Sequence, residues 1–292
     1  SAIAYGEFEG SADFVYVTSE LHNSLGIFNT TDFFDSLSSE SCFSMTLACS
    51  QKSQVYRNAS DIAGAPGSAL RAPTDIKALA INEMGDVFLF VAARGGSEIS
   101  IFAHSGEDVL GKLACDSDKV CGNPGTWFDD VTESTMGAST SPLTYLGSIS
   151  TAVSEPELMT FQPSKVAVAS VGSSSSSSAD FIVAVIGDNG EVISSTARQD
   201  YFLAQVVRLT KETDPENHVL ELGTVVFSAS STSPELRGMW DLEHDSFGST
   251  DSQLKFYASN RAQNGVVEFE LPYETSDDGA SLLQSPTTTS ML

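Results

Sequence analysis

Few residues in this chain have the type and spacing that chemistry demands. The four histidines, His22, His104, His218 and His244, are scattered, and no pair of them stands at H-x-x-x-H or H-E-x-x-H spacing. A turn or surface role is the expectation for each. A Ser-His-Asp triad can be assembled from residues distant in sequence, but nothing here points to one. The serine run from Ser173 to Ser178 reads as a loop tip, since a nucleophilic serine needs a partnered base and a strained turn, and G-x-S-x-G does not occur. Neither G-x-G-x-x-G after a strand nor a phosphate-binding G-x-x-x-x-G-K-S/T is present, so no nucleotide cofactor is expected.

Four cysteines stand as two close pairs, Cys42 with Cys49 and Cys115 with Cys121. An even number in local pairs predicts two short-loop disulfides and an oxidising compartment. Were 42–49 one continuous strand, its two sulfurs would lie more than about 20 Å apart, so that pairing needs a turn near Met45 or a different connectivity. Zinc is disfavoured because the spacing is not C-x-x-C and no histidine lies nearby. Asn29 (NTT) and Asn58 (NAS) begin N-glycosylation sequons, both near expected turns. Together these features predict an extracellular or cell-surface, secreted protein.

The elements that would position such residues are strands. From Ile76 to Phe102 the chain reads IKALAINEMGDVFLFVAARGGSEISIF. Gly85-Asp86 is a turn signal, 87–92 is almost wholly apolar as a strand covered on both faces should be, and 98–101 alternates as a half-buried strand does. A further strand is expected over 109–113. The pattern returns at Phe14–Phe28 (FVYVTSELHNSLGIF), Phe181–Ile193 (FIVAVIGDNGEVI) and Leu254–Leu271 (LKFYASNRAQNGVVEFEL). Other strands are expected at 2–8, 43–48, 143–149, 158–162, 165–171, 202–209, 219–227 and 239–244, and no long amphipathic helix is legible. The chain is therefore expected to be all-β.

These strand pairs resemble the YVTN-type and NHL-type β-propeller repeats, in which an x-V-Y-V-T/A-N strand precedes N-x-V-x-V-F/I-D. DFVYVTS followed by NSLGIF carries the likeness, as do VFLFVAA with SEISIF, and LKFYASN with NGVVEFEL. The resemblance covers about a third of the chain and implies a β-propeller of about five blades, within a range of four to seven, with long polar loops; a β-sandwich is the alternative. It implies one domain over residues 1–271, followed by an acidic, Ser/Thr-rich tail or linker over 272–292. Some propellers of this kind are calcium-dependent lactonases or esterases whose metal is held by Glu, Asn and Asp at the central channel. Here Asn82, Glu83, Asp188, Asp241 and Glu243 stand at expected strand ends, where hard oxygen donors suit calcium and where turn formation explains them equally well.

At 292 residues the chain is long enough for a large core, and its 41% hydrophobic content is that of a folded protein. Thirty-nine acidic residues against fourteen basic ones leave a net charge of −25. That balance argues against nucleic acid and against an anionic membrane surface, both of which need clustered Lys and Arg. It is compatible with a solvated surface, with calcium at loop carboxylates, or with a cationic partner. No run of eighteen apolar residues forms a transmembrane helix. The expected function is a non-enzymatic structural, adhesion or surface-assembly module. It would bind other extracellular or surface proteins, or glycans, through loops on a rigid body, with Phe33, Phe34, Tyr56 and Trp127 as candidate anchors and higher-order assembly within reach. The alternative is a secreted calcium-dependent hydrolase.

Overall fold

The computed structural model describes residues 1–7, 13–29, 53–56, 58–62, 64–81, 86–105, 143–154, 158–172, 175, 177–190, 199–211, 218–231, 233–276 and 279–291. They are nearly all strand, in antiparallel sheets that follow one another along the chain. The first sheet is β1 (Ala2–Glu7), β2 (Asp13–Ser19), β3 (Ser24–Asn29) and β4 (Ser53–Tyr56), in that order. The second is β5 (Pro73–Ile81), β6 (Asp86–Ala93), β7 (Glu98–Ser105) and β8 (Leu143–Ser150). A small hairpin, β9 (Ala152–Ser154) with β10 (Leu158–Thr160), precedes the third sheet. That sheet contains β11 (Gln162–Val171), β12 (Ser178–Asp188), β13 (Asp200–Thr210) and β14 (Val219–Ala229). The last is five-stranded: β15 (Met239–His244), β16 (Gln253–Asn260), β17 (Gly265–Ser276), β18 (Gly279–Leu282) and β19 (Thr287–Met291).

The sheets stack face to face because their central strands are apolar on both sides. In β6, Val87, Leu89 and Val91 pack towards the first sheet, meeting Phe14, Tyr16, Leu25 and Ile27. Phe88, Phe90 and Ala92 pack the other way, against Phe181, Val183 and Val185 of β12. β12 repeats the arrangement, since Ile182, Ala184 and Ile186 face Phe256, Val267 and Phe269 of the last sheet. The side-chain period of a strand is two, so a one-residue slip of β6 or β12 would exchange the residues of two cores at once. Aromatic rings fill both of the later interfaces. Phe181 lies 5.8 Å from Phe88 and 5.7 Å from Phe90, and Phe202 stacks on Phe269 at 4.2 Å.

Three sheets turn from their second to their third strand through a non-glycine residue with positive φ: Asn23 at 51°, Ser97 at 54° and Asn264 at 52°. Asn tolerates this left-handed conformation better than most residues, which is why N-x turns marked the repeat in the sequence. In the third sheet Gly190, with φ 73°, follows β12.

Several sequence expectations need correcting. The fourth strand of the first sheet is β4, at residues 53–56, where the sequence announced no strand, and residues 43–48 lie outside the described residues. The fourth strand of the second sheet is β8, read from the sequence as a strand but not as the partner of β7; residues 109–113 also lie outside the described residues. Both corrections share a cause: the pairing spans a long connection, and local pattern carries no information about which distant strand docks. Residues 272–292, expected as a tail or linker, are paired instead. β17 runs on to Ser276 and pairs with β18, and β19 returns to pair Thr287–Met291 with Val266–Glu270. Threonine is β-branched and suits a strand, although TTTSM offers no apolar alternation to announce one. Four large sheets are seen among the described residues, against the five expected blades.

Candidate functional site

The first strands of the four sheets lie side by side, β1 against β5, β5 against β11 and β11 against β15. Their charged residues form a polar constellation that joins the second, third and last sheets. Asp75 and Lys77 alternate along β5, Lys165 lies on β11, and Asp241 and Glu243 alternate on β15. The i, i+2 spacing puts each pair on one face of its strand. Lys165 Nζ lies 3.5 Å from Asp75 Oδ1 and 3.4 Å from Asp241 Oδ1, so it ties the second, third and last sheets together. Lys77 Nζ reaches Glu243 Oε1 at 2.5 Å, a contact between residues 166 apart in sequence. Since β11 separates β5 from β15 along the row of strands, this contact requires the first strands to curve about a common line.

Asp75 is the buried member, 5% exposed. Burial raises its pKa in spite of the Val166 N–H that Oδ2 accepts at 3.1 Å and in spite of Lys165. For Lys165 the balance falls the other way. Partial burial lowers its pKa, but Asp75 and Asp241 outweigh burial and hold it above the ordinary lysine value. The two directions are consistent, because the lysine retains water and the aspartate does not. Two lysines thus stand among three carboxylates, supplying the positive charge that a divalent cation would otherwise bring.

The described carboxylates that could have been calcium donors or turn formers are not gathered into one open set. Asp241 and Glu243 do meet at the inner edges, each on a lysine. Asp188 lies elsewhere, its Oδ1 accepting the Gly190 N–H at 2.7 Å and facing Arg94 at 3.5 Å. Asn82 and Glu83 lie outside the described residues. Among the described residues no three His, Cys, Asp or Glu side chains come together as metal ligands would.

The turn or surface role expected of all four histidines fits His22 but not His104 or His218, whose side chains are buried. His22, exposed in the β2–β3 turn, has its Nδ1 3.1 Å from Ser19 Oγ. His104 is wholly buried between the first two sheets, edge-on to Phe14 at 4.8 Å and with Nδ1 2.6 Å from the Tyr16 hydroxyl. Burial lowers its pKa to about 3, against the opposing pull of Asp86. On the other side of β6, buried Asp86 lies 3.1 Å from Lys211 Nζ and 3.6 Å from His218 Nε2, linking the second and third sheets.

His244 is the one that resembles catalytic machinery, with Nε2 3.2 Å from Ser249 Oγ. The serine is not activated there. Its hydroxyl donates to the Asp245 carbonyl at 2.6 Å and accepts the Lys255 N–H at 3.0 Å. With its single proton committed to the carbonyl, it can only accept from His244, the reverse of what a general base requires. The arrangement closes the β15–β16 turn.

Of the other expected residues, Asn58 is exposed and extended, at the start of a 3-10 turn over Ala59–Asp61, which suits a glycan acceptor. Asn29 ends β3, and its side chain lies outside the description. Cys42, Cys49, Cys115, Cys121, Phe33, Phe34 and Trp127 all lie outside the described residues. Tyr56, expected as a contact anchor, is buried in the first core, where its ring contributes packing rather than recognition. Sequence reasoning missed Asp75, Lys77 and Lys165 altogether. The D-x-K and D-x-E alternation on two first strands was the available signal.

Among the described residues no helix is long and apolar enough to cross a membrane. No family model matches this chain, and no curated protein matches it.

Proposed function

We propose that the chain is a β-propeller-like body serving as a rigid, non-enzymatic platform in an extracellular or surface assembly. The observation that carries this reading is the set of ion pairs at the inner edges. In a hydrolase of the propeller type, that is where substrate and metal would meet open carboxylates. Here Asp75, Asp241 and Glu243 are each engaged by a lysine of another sheet. Side-chain bonds to backbone also join neighbouring sheets. Ala72 N–H donates to Asn23 Oδ1 at 2.7 Å, and Gly238 N–H donates to Asp200 Oδ2 at 2.8 Å. Rigidity of this kind suits a scaffold whose exposed parts make the contacts.

Two experiments test the reading. Turnover of aryl acetates and of simple lactones, with calcium or with a chelator, is expected to stay at the buffer rate. Calcium-dependent turnover abolished by the chelator would replace the platform with the hydrolase. The curved arrangement of first strands is tested separately with a water-soluble carbodiimide, which joins an amine to a carboxylate with loss of water. Peptide mapping is expected to find the Lys77–Glu243 amide, and Lys77→Gln should abolish that product alone. Coupling of Lys165 to Asp241 without any Lys77–Glu243 product would mean that the second and last sheets do not meet.

A further inference from the structure

We propose that the outer edge of β14, unpaired among the described strands, receives an extended, lysine- or arginine-bearing strand of another protein, which adds to the third sheet beyond that strand. The inference deepens the platform reading by naming a surface and the chemistry of a partner, and it rests on that reading.

The outermost strands differ sharply in how well they guard their edges. β4 has four residues, β19 has five, mostly threonine, and β8 carries Gly147 and a register shift opposite Ile101/Phe102. Shortness, polarity and irregularity are the usual means by which a sheet edge avoids pairing with another chain. β14 has fewer of them. It is eleven residues long, with no proline, lysine or arginine, and it pairs with β13 alone among the described strands. Val219, Leu222 and Val225 are 43%, 47% and 51% exposed, three aliphatic side chains open to solvent on one outermost strand. Its one irregularity is a bulge of its own at Gly223–Thr224, where three steps of β14 from Leu222 to Val225 stand opposite two of β13; the pairing is regular on either side of it.

A long edge with exposed aliphatic residues offers what strand addition uses: unpaired main-chain donors and acceptors for affinity, and side-chain positions for selectivity. Charge selects the occupant. The only charged side chain on β14 is Glu221, which is exposed and makes no ion pair among the described residues. Around it is a chain of net charge −25. A second copy would bring the same charge to an edge too narrow to offset the repulsion with buried area. An incoming strand that alternates aliphatic and cationic residues places apolar groups on Leu222 and Val225 and a cation near Glu221.

The test uses the whole chain and a fluorescent decapeptide alternating valine and lysine, at physiological salt. A second peptide has the same sequence with alternate amides N-methylated, which preserves charge and side chains and removes main-chain donors. Anisotropy is expected to show saturable binding of the first peptide, weakened roughly tenfold or more by N-methylation and by Val225→Pro, which leaves net charge unchanged. Equal binding of both peptides would reduce the effect to charge attraction and overturn the proposal. So would undiminished binding by a folded Val225→Pro variant, or no binding of the first peptide. If Val225→Pro does not fold, the peptide comparison decides. Sedimentation of the free chain tests the competing occupant, and a dimer that Val225→Pro dissolves would replace the partner strand with a second copy. None of these outcomes touches the turnover assay, so failure here and failure of the platform reading are distinguishable.

Discussion

Phe181→Ala is expected to cost about 3–5 kcal/mol of folding stability, the range for removing a buried aromatic ring from a packed core. The residue stands on β12, and its ring meets both Phe88 and Phe90 of β6. It is fully buried and belongs to the core shared by the second and third sheets. Its removal therefore opens a cavity between two sheets, where neither can collapse without disturbing its other face. Phe181→Leu, which keeps much of the volume, should cost about a third as much. Urea unfolding of the three proteins provides the comparison. A loss below about 1 kcal/mol for the alanine variant would show that these sheets do not share a core. Ile182→Ala, one residue along, should weaken the opposite interface instead, because Ile182 packs towards the last sheet.

Acid should destabilise the protein through His104 well before its carboxylates are protonated in bulk. The buried imidazole has a pKa of about 3 in the fold against an ordinary 6.5 in the unfolded chain. Above pH 6.5 the group is neutral in both states and has no effect on the pH dependence. Below that, the unfolded chain takes up a proton that the fold excludes, so stability falls as pH falls. The slope approaches about 1.4 kcal/mol per pH unit and levels off near pH 3, a total of about 5 kcal/mol. His104→Gln removes the titration while leaving a polar group near the Tyr16 hydroxyl. Urea unfolding at pH 7, 6, 5 and 4 is expected to give converging curves, with the variant losing less stability at each step. Parallel pH dependences in the two proteins would mean that His104 is not buried as described. Asp86 faces the group by its charge and the rings of Phe14 and Tyr16 surround it; burial outweighs the Asp86 charge, so the imidazole stays neutral.

How far the fold was legible depends on how local each cue was. β6 could be read directly, because a strand covered on both faces has no polar alternation and 87–92 has none. β12 followed from the same property. The turns at Asn23 and Asn264 were legible because few residue types accept positive φ, and the chain advertises them. The β15 strand was legible from MWDLEH, but its consequence was not. Asp241 and Glu243 are ordinary strand carboxylates until Lys165 and Lys77 arrive from other sheets.

Sequence by itself determined that this is an antiparallel all-β protein built from recurring strand pairs, because side-chain period, β-branched content and turn residues are properties of neighbours along the chain. It also determined the strong acidity, which no fold could alter. Tertiary structure decided which strands complete each sheet, since β4 and β8 join theirs only after long connections. It decided that 272–292 contributes β18 and β19 rather than a tail, because the edge of β17 was open to them. It decided, finally, that Asp241 and Glu243, which calcium binding and turn formation explained equally well, are held by lysines up to 166 residues away. Such pairing depends on where two chains of side chains end in space, and sequence separation carries no record of that distance.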